Sequence, residues 1–287
     1  MGRYWEHATT LVHGDSTVVV SLLGGSLLAW THRGTDLLRR TALSATSPIE
    51  VACFPMVPYV NRIADGQFQF AGQPVQLAPN LPGHRHSLHG QAWLAHWEQA
   101  AGGVDSLKLA WNGGGDEWPW PYHVEQTVRV GAGTLDLQMH VTNSGNLPAP
   151  LDLGWHPYFP TAAQATLRAR TGLVWLADSE SLPTRMVPVP EKWQFDQPRS
   201  LPAAGIDNSF VGWDGVAELA WPDHSIRMQA IGCTHLHVFA PTPDDSFCIQ
   251  PQTAAPAALN RGCMDVHVAA PGERLSISMR LGVFNVS

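Results

Sequence analysis

Five short segments of this 287-residue sequence concentrate side chains that bind polar ligands and transfer protons. Arg62 carries a rigid fork of N–H donors that can hold two neighbouring oxygens of a polyol or a carboxylate. His156 stands between Trp155 and a Pro-Tyr-Phe run, and an imidazole beside aromatic rings can give or take a proton near neutral pH. The alternative interpretations are an ion-paired surface arginine and a buried structural histidine. The segments are residues 58–62, 84–90, 155–159, 207–210 and 248–252.

The second of these segments holds three histidines, His84, His86 and His89. Residues two apart on a strand face the same way, so the first two could approach one metal ion. No fourth ligand stands at a diagnostic spacing, and no cysteine lies near them in the sequence. We therefore predict no metal site here.

Twelve tryptophans are many for this length, and half of them fall near the polar segments. A flat apolar ring beside hydrogen-bonding groups suits a sugar, which presents both C–H faces and hydroxyl edges. Most of these rings are nevertheless expected to belong to the core. The six in question are Trp93, Trp97, Trp111, Trp118, Trp120 and Trp155.

The elements that must position these residues are predicted to be strands. Twenty-six glycines and 23 prolines are spread along the chain, and no window shows a sustained apolar stripe of helical period. The sequence predicts an all-β fold of antiparallel sheets, in one domain spanning residues 1–287. Residues 181–205 are predicted to be a long connecting loop. Expected strands are residues 16–23, 26–31, 67–70, 106–111, 123–130, 134–143 and 275–283.

Strand alternation is clearest in residues 134–141. Leu135, Leu137, Met139 and Val141 fall on one face, and polar residues take the other. We expect one side of this strand to pack and the other to meet water.

Charge and cysteine usage exclude several classes of function. A net charge of −7, with only 17 Lys and Arg thinly spread, offers no basic stripe for nucleic acid or for a membrane surface. The longest apolar run, residues 18–30, is interrupted by Ser and Gly and does not predict a membrane span. The chain opens on a polar stretch, and Cys53, Cys233, Cys248 and Cys263 form no Cys-x-x-Cys pair. We expect a cytoplasmic protein with reduced thiols.

In their order along the chain, these motifs resemble the aldose 1-epimerase (galactose mutarotase) family over nearly the whole sequence. The resemblance implies a large antiparallel β-sandwich, a supersandwich, with an open cleft for a small sugar, a hexose or a pentose. It also implies interconversion of α and β anomers without a cofactor. The residues that carry it are Asn61-Arg62-Ile63, Gly66, Asn80, Leu88-His89-Gly90, Trp97, residues 154–159, Asp207, Pro251-Gln252-Thr253, Pro256 and Asn260-Arg261.

The resemblance also implies roles for individual residues. His156 would protonate the ring oxygen of the sugar, while a glutamate removes the proton of the anomeric hydroxyl. Asn61, Arg62, His89 and Asp207 would hold the sugar. An acid and a base on opposite sides of the hemiacetal each lower the barrier to ring opening.

The sequence departs from the family where that glutamate should stand, before Pro-Gln-Thr, because it has Gln250 there. An amide has no useful basicity near neutral pH, and losing a positioned base costs about 10²–10⁴-fold in rate. Ala257 is a second departure, at a position where the family often carries an aspartate.

Three interpretations of Gln250 stay open. In the first, the chain is an epimerase in which Asp207, His89 or a bound water serves as the base. In the second, it is a sugar-binding or sensing protein descended from an enzyme. In the third, the glutamine was introduced to trap a complex. All three predict a cleft that binds sugar.

Overall fold

The computed structural model describes residues 3–160, 165–241, 246–262 and 265–284. Those residues form 26 strands and, as their helical elements, only short 3-10 turns. The strands are β1 (Ala8–His13), β2 (Ser16–Ser21), β3 (Leu27–His32), β4 (Thr35–Asp36), β5 (Cys53–Met56), β6 (Arg62–Ile63), β7 (Gln67–Phe70), β8 (Gln73–Gln76), β9 (Ser87–Leu88), β10 (Glu98–Gly102), β11 (Ser106–Gly113), β12 (Tyr122–Gly131), β13 (Thr134–Asn143), β14 (Ala149–Leu151), β15 (Gly154–Pro160), β16 (Thr166–Ala169), β17 (Leu173–Ala177), β18 (Pro183–Pro188), β19 (Arg199–Ser200), β20 (Ile206–Val211), β21 (Val216–Ala220), β22 (Ser225–Ile231), β23 (His235–Ala240), β24 (Ser246–Gln252), β25 (His267–Ala269) and β26 (Arg274–Phe284). The 3-10 turns are Trp5–His7, Pro48–Glu50, Ala64–Gly66, Ala92–Leu94, Glu191–Trp193 and Leu259–Arg261.

Two large antiparallel sheets make up most of the molecule. An eleven-stranded sheet runs β1-β2-β3-β5-β15-β24-β23-β20-β17-β18, with β4 added beside β3. A nine-stranded sheet runs β10-β11-β12-β13-β26-β22-β21-β16-β19. Three two-stranded ribbons, β6-β9, β7-β8 and β14-β25, complete the fold. The predicted all-β class with large antiparallel sheets is confirmed.

Buried polar contacts join the two large sheets across the core. The indole of Trp155, on β15, donates to Oε1 of Gln126 on β12 at 2.9 Å. The Gln126 amide in turn donates to the carbonyl of Gly25 at 2.7 Å. Trp155 and Gln126 are almost fully buried, so these bonds satisfy polar groups that would otherwise be costly in an apolar core. They fix β15, the strand that carries His156, against the opposite sheet.

The seven strands expected from the sequence all form. The expected alternation is present in β13, where Leu135, Leu137, Met139 and Val141 are buried and the residues between them are partly or fully exposed. This strand pairs with β12 and β26 in the nine-stranded sheet.

The prediction of one long loop over residues 181–205 is wrong. Its first part forms β18, an edge strand of the eleven-stranded sheet that pairs with β17, and Arg199–Ser200 forms β19. Pro183 and Pro188 stand at the two ends of β18. An edge strand tolerates prolines because it pairs on one side only, so a missing N–H on the other side costs no hydrogen bond between strands. A composition rich in Pro, Ser and Ala therefore led to the prediction of a loop where an edge strand forms.

Within the described ranges, no helix is long and apolar enough to cross a membrane. The thiols of Cys53, Cys233 and Cys248 are buried, and Cys263 lies outside the described residues. Burial raises the pKa of Cys233 to about 12, which leaves this thiol protonated at neutral pH.

Candidate active site

A cleft of about 460 Å³ opens on the eleven-stranded sheet, over its neighbouring strands β15, β24, β23 and β20. This volume lies in the range usual for small-molecule sites. All six residues singled out as site candidates line it, namely Asn61, Arg62, His89, His156, Asp207 and Gln250. The cleft thus brings together residues that are up to 189 positions apart in the numbering.

Strand register sets the spacing of the groups along the floor of the cleft. His156 pairs with Phe54 on one side. On the other side, the pairs Gly154 with Gln252 and Tyr158 with Cys248 place Gln250 opposite His156. His237 on β23 pairs with Gln250 from the far side. Because neighbouring strands are about 4.8 Å apart, the backbones of His156 and His237 stand roughly 10 Å apart with Gln250 between them.

Aromatic rings enclose the His156 imidazole. It stacks on Phe54 with ring centroids 4.5 Å apart and lies 4.7 Å from the ring of Tyr158. Burial, followed by the nearby His89, His237 and Arg39, lowers the pKa of His156 well below its usual range. The imidazole is therefore neutral at neutral pH, and its protonated form gives up a proton more readily than an ordinary imidazolium.

Left-handed backbone turns carry Asn61 and His89 into the cleft. Their φ angles are 54° and 55°, which non-glycine residues seldom adopt, and the N–H of His89 donates to the carbonyl of Asn61 at 2.9 Å. Asn80 fixes the second turn, because its amide donates to the carbonyls of Leu88 and Gly90 and its Oδ1 accepts from the N–H of Leu88. These bonds offset the local backbone strain.

The imidazole of His89 is also buried. Its edge meets the rings of Phe54 and Trp93, with centroids 5.4 and 5.2 Å away. Burial, with smaller contributions from Arg62, His237 and His84, lowers the pKa of His89 well below its usual range. In the part of the chain that the structure describes, neither Nδ1 of His89 nor Nδ1 of His156 has a hydrogen-bond partner.

A ring of polar contacts closes one wall of the cleft. Arg62 Nη1 donates to Asn61 Oδ1 at 3.0 Å, and Asn61 Nδ2 lies 3.4 Å from His237 Nδ1. Nε2 of His237 lies 2.8 Å from Asp207 Oδ1, and Arg62 Nη2 is 3.6 Å from Asp207 Oδ2. Since the carboxylate only accepts, the proton of neutral His237 sits on Nε2, and Nδ1 carries the lone pair.

Asp207 is held as a carboxylate by its neighbours. Burial alone would raise its pKa, but the hydrogen bond and charge of His237, together with Arg62 and the Ser181 hydroxyl, outweigh burial and hold the pKa well below its usual range. Ser181 donates to Oδ2 at 2.5 Å from a turn whose own φ is 59°. Asp207 can therefore accept hydrogen bonds throughout the neutral range.

Comparison with known proteins agrees with this architecture. The family model for aldose 1-epimerase matches residues 7–282. The chain belongs to the aldose 1-epimerase family. A curated relative, the uncharacterized protein YphB of Escherichia coli (strain K12), is 33% identical over 286 residues, which cover 96% of this chain and 98% of the relative.

Solved structures share the same fold. The crystal structure of a candidate aldose 1-epimerase from Escherichia coli K12 superposes with a TM-score of 0.91 at 31% identity, covering 97% of this chain and 99% of that one. A galactose mutarotase-like protein from Clostridium acetobutylicum gives a TM-score of 0.85 at 15% identity, covering 97% and 95% of the two chains. At that identity the second likeness concerns the fold alone.

This epimerase-family chain carries an amide pair at the end of β24. Gln252 Nε2 donates to Gln250 Oε1 at 2.9 Å, and both side chains are buried. The Gln250 oxygen accepts this bond, and its NH₂ group can donate to a ligand in the cleft. Gln250 supplies hydrogen bonds at this position and no basic group.

A buried carboxyl links the start of β15 to the end of β24. Thr253 Oγ1 donates to Asp152 Oδ1 at 3.0 Å and accepts from the N–H of Leu153 at 2.9 Å. Burial raises the pKa of Asp152 to about 7, although the bond from Thr253 opposes the shift. The threonine of the Pro-Gln-Thr motif therefore holds together the two strands that carry His156 and Gln250.

Ala257, the second departure from the family pattern, lies beside Arg62. Its φ is 52°, and its N–H donates to the carbonyl of Arg62 at 2.8 Å. Asn260 supports the same region, since its Oδ1 accepts from the N–H of Ala64 at 2.9 Å. Ala257 thus contributes backbone support to the arginine.

Three aromatic side chains line the cleft, Trp93, Tyr158 and Phe239. Trp97, Trp118 and Trp155 are fully buried, as expected for core residues. The guanidinium of Arg39 lies 3.7 Å above the ring of Tyr158 and donates to the carbonyls of Ile49 and Val51. Tyr158 is thus held between Arg39 and His156.

The three histidines of residues 84–90 do not converge. His84 and His89 line the cleft, whereas Nδ1 of His86 accepts from the N–H of Asp65 at 3.1 Å. Among the residues that the structure describes, no three His, Cys, Asp or Glu side chains come together as a metal site would require.

Sequence reasoning missed three titratable residues that line the cleft, Arg39, Glu50 and His237, and the apolar residues Ile49, Leu81 and Phe239. A signal existed for His237, since His235 and His237 alternate in a strand-like run shortly before the segment 248–252, which contains Gln250. No comparable signal marks Arg39 or Glu50, because tertiary contacts alone bring residues 39–50 to the cleft.

Proposed function

We propose that this chain binds an aldose in the cleft and interconverts its α and β anomers by acid/base ring opening. The observation that carries the proposal is the meeting of Asn61, Arg62, His89, His156 and Asp207 in one cleft of a chain that belongs to the aldose 1-epimerase family. Family membership supports the mutarotase-like role, and the cleft supplies groups suited to it.

The proposed acid is His156. As an imidazolium it would protonate the ring oxygen while the C1–O5 bond breaks, which leaves an open-chain aldehyde. After rotation of the carbonyl, the reverse transfers close the ring to the other anomer. Its lowered pKa makes the protonated form a better donor, and the aromatic enclosure by Phe54 and Tyr158 excludes water from the transfer.

The proposed sugar ligands are Arg62, Asn61, His89 and Asp207. Arg62 and Asn61 offer N–H donors, and the Asp207 carboxylate accepts from hydroxyl groups. Trp93 and Phe239 add apolar surface for the C–H faces of the ring. This mixture of donors, acceptors and flat apolar faces fits a neutral hexose or pentose.

A second candidate function is sugar binding or sensing without turnover. The amide of Gln250 favours it, because the family's glutamate has no counterpart at that position. Both functions predict that the cleft binds sugar, but only the first predicts that the chain accelerates anomerisation.

Mutarotation of freshly dissolved α-glucose and α-galactose, followed by polarimetry, separates the two functions. We expect anomerisation above the spontaneous rate, with loss of at least 10²-fold in His156→Ala. His140→Ala, on the nine-stranded sheet, is the matched control. Sugar affinity that survives both Arg62→Ala and His89→Ala would rule out the proposed binding site. A rate equal to background, with binding retained, would establish the second function.

A further inference from the structure

We propose that His237, backed by Asp207, is the proton acceptor of this chain and replaces the glutamate that Gln250 displaced. The inference rests on the proposed anomerisation and concerns the group that takes the proton of the anomeric hydroxyl. Its geometric basis is the position of His237, directly opposite Gln250 on the next strand and buried against the cleft.

The two carboxylates that line the cleft are poor acceptors. Asp207 already accepts from His237 and Ser181 and lies beside Arg62. Glu50 accepts from the N–H groups of Thr46 and Ser47 at 2.9 and 2.7 Å, and these bonds favour its ionised form. A carboxylate stabilised in this way is a weaker base than an unperturbed one.

The histidines of the cleft differ in what stabilises their charged forms. His89 and His156 pack on aromatic rings, and burial opposes protonation of both. His84 is exposed at the rim. The imidazole of His237 instead lies 2.8 Å from a carboxylate, which stabilises the imidazolium that forms when the ring accepts a proton. His237 is therefore the histidine best prepared to act as a base.

The polar ring also selects the reacting nitrogen. Nε2–H donates to Asp207, so the lone pair is on Nδ1. The present partner of Nδ1 is the Asn61 amide at 3.4 Å, a long contact that a sugar hydroxyl can replace. Arg62 keeps the amide oriented, since it donates to Asn61 Oδ1.

The proton inventory balances with two imidazoles. In ring opening, the O1–H proton passes to Nδ1 of His237, and the O1–H electron pair forms the C1=O1 bond. The electron pair of the broken C1–O5 bond stays on O5, which takes a proton from protonated His156. Ring closure returns both protons. In the reacting state His156 is protonated and His237 is neutral, so the pair carries one proton more than two neutral imidazoles. The rate should therefore fall on both sides of an optimum pH. The side chains that line the cleft with His237 and bear on that optimum are Arg39, Glu50, Arg62, His84, His89, His156 and Asp207.

The test is mutarotation kinetics of α-galactose over a range of pH in the full chain and three variants, His237→Gln, Gln250→Glu and the double variant. Glutamine keeps hydrogen-bonding capacity at position 237 but cannot take the proton. His235→Gln changes a buried histidine two residues away on the same strand, outside the cleft, and is the matched control.

We expect His237→Gln to lower kcat by 10²-fold or more with KM changed only a few-fold. The double variant should recover most of the rate, because a carboxylate at position 250 restores a base. The acid limb of its pH profile should move to lower pH, because a carboxylate is in general a weaker base than an imidazole. Asp207→Asn provides an independent variant, with an expected loss of at least tenfold in kcat.

If the unaltered chain is active and both His237→Gln and Asp207→Asn keep its kcat, the inference is overturned and the proposed function stands. A higher KM with unchanged kcat would also overturn it, since His237 would then only bind sugar. An unaltered chain that binds sugar but does not exceed the spontaneous rate would overturn the proposed function, and the base assignment with it.

Discussion

Gln252 donates its side-chain N–H to the carbonyl oxygen of Gln250 at 2.9 Å, at the position where the family carries a glutamate. A carboxylate at position 250 would keep this hydrogen bond, because either of its oxygens can accept, and the donor would favour its ionised form. The surroundings of Gln250 are therefore suited to a glutamate as well.

The first prediction concerns Gln250→Glu. At about pH 5.5 we expect this variant to anomerise α-galactose several-fold faster than the unaltered chain, because a carboxylate base in general stays deprotonated to lower pH than an imidazole base. Polarimetry measures both rates. Gln69→Glu adds the same charge on an exposed strand position and should not change the rate. Equal rates for Gln250→Glu and the unaltered chain would contradict the prediction.

The second prediction concerns the planar fork of Arg62, which contacts both Asn61 and Asp207. Lysine keeps the charge but presents one compact ammonium group, so Arg62→Lys should lose the bond to Asn61 and weaken sugar binding by about tenfold or more. Isothermal titration gives the Kd. Arg40→Lys is the control, because Arg40 pairs with Asp36 at the surface. An unchanged Kd in Arg62→Lys would show that the fork does not hold the sugar.

The third prediction compares two glycines with the same φ of 81°, Gly90 and Gly83. A Cβ at Gly90 would lie 1.8 Å from the carbonyl oxygen of Val57, whereas a Cβ at Gly83 would meet nothing within 4 Å. Both alanine variants carry the same left-handed penalty of roughly 1 kcal/mol, so the difference between them measures the clash. We expect Gly90→Ala to lose about 3 kcal/mol or more in urea unfolding, or to fail to fold. Similar losses in both variants would refute this steric explanation.

The fourth prediction concerns the pH dependence of stability. Burial raises the pKa of Asp152 to about 7 in the folded chain, so between about pH 4 and pH 7 the folded state binds more protons than the unfolded state at this group. The contribution of Asp152 to the free energy of unfolding is fully present below about pH 4. It is lost as the pH rises through 7, which lowers the free energy of unfolding by up to about 4 kcal/mol. Asp152→Asn should remove this decline.

Urea unfolding at about pH 4.5 and pH 7.5 measures the difference. Asparagine retains an oxygen that can accept from Thr253, so the strand clamp survives the change. Asp136→Asn, a surface carboxylate near Arg280, is the control. If the free energies of unfolding of Asp152→Asn and the unaltered chain ran parallel with pH, the assignment to Asp152 would be wrong.

The sequence predicted the fold class well, because alternation is a local property that sheet formation preserves. Strand β13 is the clearest case, since its four apolar residues point to the core as their spacing requires. Strand β18 was missed because its prolines resemble those of a loop until the neighbouring strand β17 is known. Edge strands depend on context that a local pattern does not contain.

Several residues of the candidate site were singled out from the sequence, but the contacts between their side chains were not. Arg62, His89, His156 and Asp207 stand in recognisable motifs, and the structure places them around one cleft. His237 lies in an ordinary strand sequence, and only the register of β23 against β24 places it opposite Gln250. The partnership of His237 with Asp207 depends on a strand pairing that no local pattern encodes.

The strand that carries His156 has consequences for how the protein folds. Gly154 at the start of β15 pairs with Met56 on one side and with Gln252 on the other, roughly a hundred residues earlier and later in the chain. Pairings at such long separation form slowly, because the loop-closure entropy is lost before the contacts are gained. No fragment that lacks either partner strand can assemble this cleft. During synthesis, the side chain of His156 therefore gains both neighbouring strands only after β24 has been made.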